Sequence, residues 1–469
     1  MKMKKRNWAP AFAGVTTALL LGACASVPAI DPASFPTAPT AYKEGDGRWT
    51  RTNPAEAQPR GEWWKAFGDP ALDALVERSN AANTGIQQAA ARLAQARATA
   101  RLTDADRWPQ LGVGAGASRS DGLPLAPAGA PKTLTRIGAD LSYEVDLFGR
   151  LSRASTAAAL DARSREALLQ STRLLVQAEV AQTYLALRAL DTERELVRGT
   201  VKTYLDTLRL TERRFAAGDV AELDVERART EVAATESEAI ALDRRRAEVE
   251  HALAVLVGDV ASAFALSEAA WDTKLPVIPA GVPATVLTRR PDIAAAQDGL
   301  LAAQQRVGAA RAAWFPNLAL TASGGQASPE ISDLFKWSMR AWGVGAILGL
   351  PILDGGRREA GVLSASAEMD AAGARYREQV LVAFRDVEDQ LAALHYLAGQ
   401  AEAQSRAVAS ATRTTVLSDS RYRNGFVSQI ELLDAQRSEL RNRRQALQVR
   451  SAQYQATVGL VRALGGGWS

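Results

Sequence analysis

The side chains that most often carry enzymatic or metal chemistry are scarce in this chain of 469 residues. It has two histidines, His251 and His395, both in helical surroundings, and one cysteine, Cys24. No His/Cys cluster has the spacing of a metal site. Gly112-Val113-Gly114 lies inside a strand pattern, where small residues serve close packing and do not make a phosphate-binding loop. Asp386, Glu388 and Asp389 sit in a densely charged helical stretch, which gives solvated carboxylates and not an acid–base pair. Nothing here has the makings of an active site. The sequence reads as a non-enzyme without a cofactor.

Cys24 is the one residue whose setting implies a covalent reaction. Lys2, Lys4, Lys5 and Arg6 form a basic start, and Val15 to Leu21 a short apolar core. That core suits a secretory signal and is too short to span a membrane. Leu21-Gly22-Ala23-Cys24 resembles the cleavage box of bacterial lipoproteins, which implies removal of residues 1–23 and covalent lipid, such as palmitate, on Cys24. The alternative is an ordinary signal site beside a free thiol. Ala25 follows, so the aspartate that retains lipoproteins at the inner membrane is absent. Of 56 basic and 52 acidic residues, four basic ones lie in the signal, which leaves the mature chain balanced. The pI near 9.2 therefore carries no implication of nucleic-acid binding. Residues 24–60, rich in Pro, Ala and Thr, read as an extended tail leading to the body.

The body is an internal duplication. A shift of 207 positions lays Pro109 on Pro316, Ile86 on Ile293, Arg150 on Arg357, Gly218 on Gly425 and Val220 on Val427. The expected layout is a first repeat over 61–258, a linker over 259–283 and a second repeat over 284–469. Two independent tandem domains are the alternative, but neither half contains a plausible core of its own. This period is far longer than those of solenoids.

Within each repeat the hydrophobic period changes. From Trp64 to Trp108 it is helical, with Ile86, Ala89, Ala90, Leu93, Ala96 and Ala100 on one stripe. Leu151 to Arg198 and Asp219 to Val257 contain neither glycine nor proline. At about 1.5 Å per residue the first of these runs could span roughly 70 Å, longer than one core needs. Such a helix suits a conduit or spacer. Between the helical runs the period is two, predicting strands at about 110–118, 136–147, 317–324 and 339–353. Ile137, Ala139, Leu141, Tyr143, Val145 and Leu147 alternate with Gly138, Asp140, Ser142, Glu144 and Asp146. This is the length and pattern of a transmembrane barrel, with a half-buried sandwich as the soluble alternative. Four strands cannot close a barrel, so a membrane reading requires several chains to share one.

With these features in place, the chain resembles the outer membrane factors, the TolC-like exit ducts of Gram-negative bacteria. It is most similar to their lipoprotein branch, the OprM-like or NodT-type subgroup. The motifs are Trp63-Trp64-Lys65-Ala66-Phe67-Gly68-Asp69-Pro70, Tyr143-Glu144-Val145-Asp146-Leu147-Phe148-Gly149-Arg150, Arg289-Arg290-Pro291-Asp292-Ile293, Trp314-Phe315-Pro316 and Leu432-Leu433-Asp434-Ala435-Gln436-Arg437. They run in family order over almost the whole mature chain.

The resemblance implies a mainly α fold with a small β-barrel part, in which a homotrimer forms one barrel from four strands per protomer. A long periplasmic α-barrel continues it. The implied location is the cell outer membrane, lipid-anchored and reaching into the periplasm. Implied partners are outer membrane lipid, a periplasmic adaptor and an inner-membrane pump, with no nucleic acid. The function is then the outer-membrane channel of an efflux system for drugs and small toxic molecules. Alternatives are the exit duct of a type I protein secretion system and a periplasmic adaptor or coiled-coil scaffold. Loops 118–135 and 323–336 would face outward. Gly218 and Gly425 would mark helix turns at the tip, with Asp219-x-x-Glu222 and Ser428-x-x-Glu431 as capping boxes. These boxes stand 209 apart, which predicts unequal turns. Residues 259–283 would form an equatorial belt. The family pattern puts the constriction at Ile430 and Asp434, one helical turn apart, and the repeat places Arg227 at the counterpart of Asp434. An Arg227–Asp434 contact is the expected tip lock.

Overall fold

The computed structural model describes residues 27–31, 33, 35–44, 61–119, 133–276, 278 and 289–466. Cys24 and the signal segment before it lie outside the described residues. After a short 3-10 turn, Trp63–Phe67, come α1 (Pro70–Ala82), α2 (Thr84–Ala105), β1 (Gln110–Arg119), β2 (Thr133–Val145), α3 (Arg150–Ala216) and α4 (Glu222–Leu256). Then follow α5 (Pro291–Ala312), β3 (Asn317–Ser328), β4 (Arg340–Gly349), α6 (Arg357–Arg423) and α7 (Gln429–Ala463). The starts of α2 and α5, β1 and β3, β2 and β4, α3 and α6, and α4 and α7 are each 207 positions apart. The helix α3 runs past Gly199 to Ala216, because a single glycine costs only about 1 kcal/mol inside a long packed helix.

The chain folds into two compact units, and neither is one of the sequence repeats. One draws on Met1–Phe35, Ala91–Glu166 and Ala295–Glu378, the other on Pro36–Ala90, Ala167–Ala294 and Gln379–Ser469.

The first unit carries an antiparallel sheet in the order β1-β2-β3-β4. Its register sorts the side chains by chemistry. Leu111 lies opposite Leu141, Leu141 opposite Ala322, and Ala322 opposite Val344, so these share one face. Val113, Ile137, Tyr143, Val145, Leu318, Leu320, Trp342 and Leu348 fall on it too. The opposite face holds Gln110, Asp140, Ser142, Glu144, Thr321 and Ser323 among glycines. Gly138 and Gly325 lie opposite each other so closely that a Cβ on Gly325 would sit 2.4 Å from the Gly138 Cα. The edge strands β1 and β4 are exposed along almost their whole length.

Strand ends differ from expectation for local reasons. The second strand stops at Val145 because the Asp146 carboxylate turns to accept the amides of Leu151 and Ser152 at 3.0 and 2.7 Å, capping α3. The fourth stops at Gly349, two residues before Pro351, which has no amide for a ladder. The third continues to Ser328, so the connection to β4 spans 329–339 and not 323–336.

Several of the described residues after the expected anchor pack against the helices. Ile30 and Phe35 lie against Leu300, Ala303, Ala372, Met369 and Tyr376, and Gln304 of α5 donates to the Pro28 carbonyl at 2.8 Å. In the second unit, Glu388 accepts the backbone amides of Lys43 and Glu44 at 2.7 and 3.0 Å.

The second unit is built around the Trp63-to-Pro70 motif. Trp63, Trp64 and Phe67 are buried, and Gly68 turns the chain at φ 64°. Asp69 then caps α1 through the amides of Ala71 and Leu72, and its other oxygen accepts the hydroxyls of Tyr184 (2.7 Å) and Thr273 (2.8 Å). Asn83 splits the helical stretch, capping α2 through the amides of Gly85 and Ile86 while donating to the Leu256 carbonyl at 2.8 Å. Around the linker, Arg188, Arg194 and Arg246 hold the chain at 266–268. Arg188 donates to the Ser267 carbonyl, Arg246 to that of Leu266, and Arg194 to the Glu268 carboxylate, all within 2.8 Å. Asp191 pairs with Arg188 and Arg246, so these cations are not left uncompensated.

Candidate functional site at the helix turns

The two hairpin turns, α3 to α4 and α6 to α7, both fall in the second unit. Each ends its first helix the same way. Gly218 has φ 84°, its amide bonds the Phe215 carbonyl, and the Asp219 amide reaches back to Arg214, each at 2.9 Å. Gly425 has φ 78°, its amide bonds Tyr422 at 3.0 Å, and the Phe426 amide bonds Arg421 at 2.9 Å. This double closure needs a residue in the left-handed region, and glycine takes it without strain.

The capping boxes do not form. Helix α4 starts at Glu222 after Ala221, and α7 at Gln429 after Ser428, neither with a side-chain cap. Asp219 is still inside the preceding turn when α4 begins, so it lies too far back to cap. Ala221 and Ser428 are 207 apart, and the two turns are equivalent where inequality was expected.

The expected tip lock is also absent within the chain. Arg227 pairs with Asp224 on its own helix at 3.4 Å, and Asp434 with Arg437 on its own at 3.2 Å. The tie between α4 and α7 is instead Arg437 on Glu231. That carboxylate keeps the Arg437 guanidinium more firmly protonated than usual. Ile430 and Asp434 share an exposed face of α7, at 44% and, for the Asp434 side chain, 65% exposure. Gln429, Leu432, Leu433 and Gln436 are buried on its other side.

That buried side holds polar contacts not foreseen from the sequence. Gln429 Nε2 of α7 donates to Thr211 Oγ1 of α3 at 3.2 Å, and Thr211 meets the Tyr422 hydroxyl of α6 at 3.0 Å. Gln436 Nε2 reaches Thr207 Oγ1 at 3.4 Å. Arg214 stacks over the Tyr422 ring, 4.7 Å from its centroid, and donates to the Arg423 carbonyl at 3.0 Å. Tyr204 packs with Val232 and Leu433, and burial, with Glu231 nearby, pushes its phenol up to about 12. The signal was present: Gln429 and Gln436 stand seven apart, and Thr207 and Thr211 four apart, the spacings that put polar residues on a helix–helix seam.

Among the described residues no group of His, Cys, Asp and Glu is placed to hold a metal ion, and no helix is long and apolar enough to cross a membrane. What the site can do is mechanical and electrostatic. It fixes the ends of two helix pairs and leaves an apolar and an acidic side chain on one exposed face.

Comparison with known proteins bears on that reading. The profile of the family described as outer membrane efflux protein matches residues 75–259 and 282–466. The solvent efflux pump outer membrane protein SrpC of Pseudomonas putida is 33% identical over 96% of this chain and 97% of its own length. Outer membrane protein OprJ of Pseudomonas aeruginosa is 34% identical over 98% and 96%. A crystal structure of a membrane protein from Pseudomonas aeruginosa superposes with a TM-score of 0.85 at 32% identity, covering 94% of this chain and 97% of that one.

Proposed function

Since the chain belongs to the outer membrane efflux protein family, we propose that it is the exit duct of a tripartite efflux system, passing drugs and other small toxic molecules outward. One observation carries the reading: a sheet apolar on one face, polar and small on the other, with both edges unpaired among the described residues. Open strand edges are not tolerated in lipid, so closure needs other chains. Three copies give a homotrimeric barrel of about twelve strands, a size bacterial outer-membrane barrels use. The paired helices α3/α4 and α6/α7 then line the periplasmic tunnel, and the turns at Gly218 and Gly425 form its tip. The protein does no catalysis and needs no cofactor. A periplasmic adaptor and an inner-membrane pump supply recognition and energy.

Ile430 and Asp434, repeated about the axis, form an apolar ring beside an acidic ring. Such a constriction blocks flow by dewetting and biases ions by charge. Lipid on Cys24 gives a second hold on the membrane beside the barrel. Replacing Cys24 with Ser should abolish labelling by fatty acid while leaving barrel insertion intact; an unlabelled wild-type protein would refute the anchor.

The test of function is deletion of the gene, with susceptibility to dyes, detergents and antibiotics measured beside protein export. Raised susceptibility with normal export is expected. Lost export with unchanged susceptibility would make it a secretion duct.

A further inference from the structure

We propose that the outer rim of each protomer seam holds a phosphorylated lipid headgroup of the outer leaflet between Arg119 of one chain and Arg340 of the next. The inference rests on the shared barrel proposed above. Arg119 is the last residue of β1 and Arg340 the first of β4, so both sit at the sheet end away from the helices. Register places both on the apolar face. Arg119 lies opposite Thr133 and Arg340 opposite Gln326, in step with Leu111, Val113, Trp342 and Val344.

An arginine on a lipid-facing surface costs about 2–4 kcal/mol at the midplane and close to nothing at the interface. The two residues therefore mark headgroup depth. Arg340 is held in place: its guanidinium stacks 3.0 Å from the Trp337 ring centroid, and its Nε donates to the Trp337 carbonyl at 2.9 Å. Both arginines are exposed, and among the described residues neither has a carboxylate partner. Asp333, in the connection leading to β4, is paired with Lys336 at 2.6 Å.

The strands β1 and β4 are the two edges of the sheet. Closing a barrel from several copies makes β4 of one chain the neighbour of β1 of the next. That step brings two cations to the same rim of the same face, and like charges across a strand pair are destabilising. A phosphate removes the conflict, since each guanidinium can donate two parallel hydrogen bonds to it. Phosphate at this depth on the lipid side is a lipid headgroup.

The experiment is native mass spectrometry of trimers purified in detergent, offered diphosphorylated lipid A, its dephosphorylated form, or inorganic phosphate. Wild-type trimers should retain the phosphorylated lipid, up to about three per trimer by symmetry. The double variant Arg119→Gln/Arg340→Gln should lose it, and neither the dephosphorylated lipid nor inorganic phosphate should replace it. A second variant, Arg119→Glu, supplies the seam with its own anion. It should retain no lipid and resist heat dissociation better than wild type without phospholipid. Equal retention by wild type and the double variant would overturn the proposal. Equal uptake of both lipid forms, or full competition by inorganic phosphate, would overturn it too. Trimers without selective retention sink this inference alone; absence of trimers sinks the shared barrel with it.

Discussion

Gln429 of α7 and Thr211 of α3 are joined by a hydrogen bond of 3.2 Å inside a fully buried seam, and Thr211 Oγ1 also meets Tyr422 of α6. One hydroxyl thus connects three helices next to the turns. Thr211→Val keeps the shape and removes the hydroxyl, leaving the Gln429 amide and the Tyr422 phenol without it. Orphaned buried polar groups cost about 1–3 kcal/mol. The tip should loosen, read as lower thermal stability together with higher single-channel conductance. A variant as stable and as closed as wild type would show that the seam does not hold the tip.

Arg437, not Arg227, bridges α4 and α7 through Glu231, while its contact with Asp434 stays within α7. Arg437→Ala should therefore destabilise the tip more than Arg227→Ala does. The bridge is partly exposed, so the difference should be modest, on the order of 0.5–1 kcal/mol. Hydrogen exchange of 222–232 and 429–437 would report it. Equal protection in the two variants would count against the bridge.

Asp69 serves four donors at once: the Ala71 and Leu72 amides, Tyr184 and Thr273. Asp69→Ala removes a helix cap and takes away the acceptor for the buried Tyr184 O–H. Together these cost about 2–4 kcal/mol. Thermal denaturation should show the largest loss for this variant among the single substitutions named here. A loss below that of Thr211→Val would mean the motif is not the anchor of its unit.

The linker is held by ion pairs that respond to acid. Hydrogen bonds from Arg194 hold the Glu268 carboxyl below its ordinary value. For Asp243, desolvation pushes upward but Arg194 and Arg198 outweigh it, and its value is lowered too. Lowered carboxyls add stability that is complete above the unfolded-state range, about pH 4, and is lost as pH falls through the depressed values. Limited proteolysis at 259–276 should therefore stay slow from neutral pH to about 4 and accelerate below it. Arg194→Ala should bring the acceleration at higher pH. An unchanged threshold in that variant would refute the ion-pair account.

Much of this was legible in the sequence because period and spacing are local. The shift of 207 gave the paired elements, and alternation from Ile137 to Leu147 gave the two faces of the sheet. Gly218 and Gly425 marked the turns, since both must take a positive φ. Other features depend on packing that one sequence does not carry. A Ser/Asp-x-x-Glu pattern does not say where a helix starts, and at Asp219 the preceding turn consumes the residue. Equivalence of Arg227 and Asp434 under the repeat says nothing of helix rotation, which turns Arg437 toward Glu231. The hold of Arg188, Arg194 and Arg246 on 266–268 likewise comes from packing between segments far apart in the chain, which no local pattern marks.

The central claim is a closed conducting duct, and single-channel conductance of purified trimers in planar bilayers tests it most directly. Wild-type protein should give small openings, and the double variant Ile430→Ala/Asp434→Ala much larger ones. The same variant should admit large antibiotics such as vancomycin in whole cells. Correctly inserted trimers that conduct no ions, in wild type and in the double variant alike, would contradict the account.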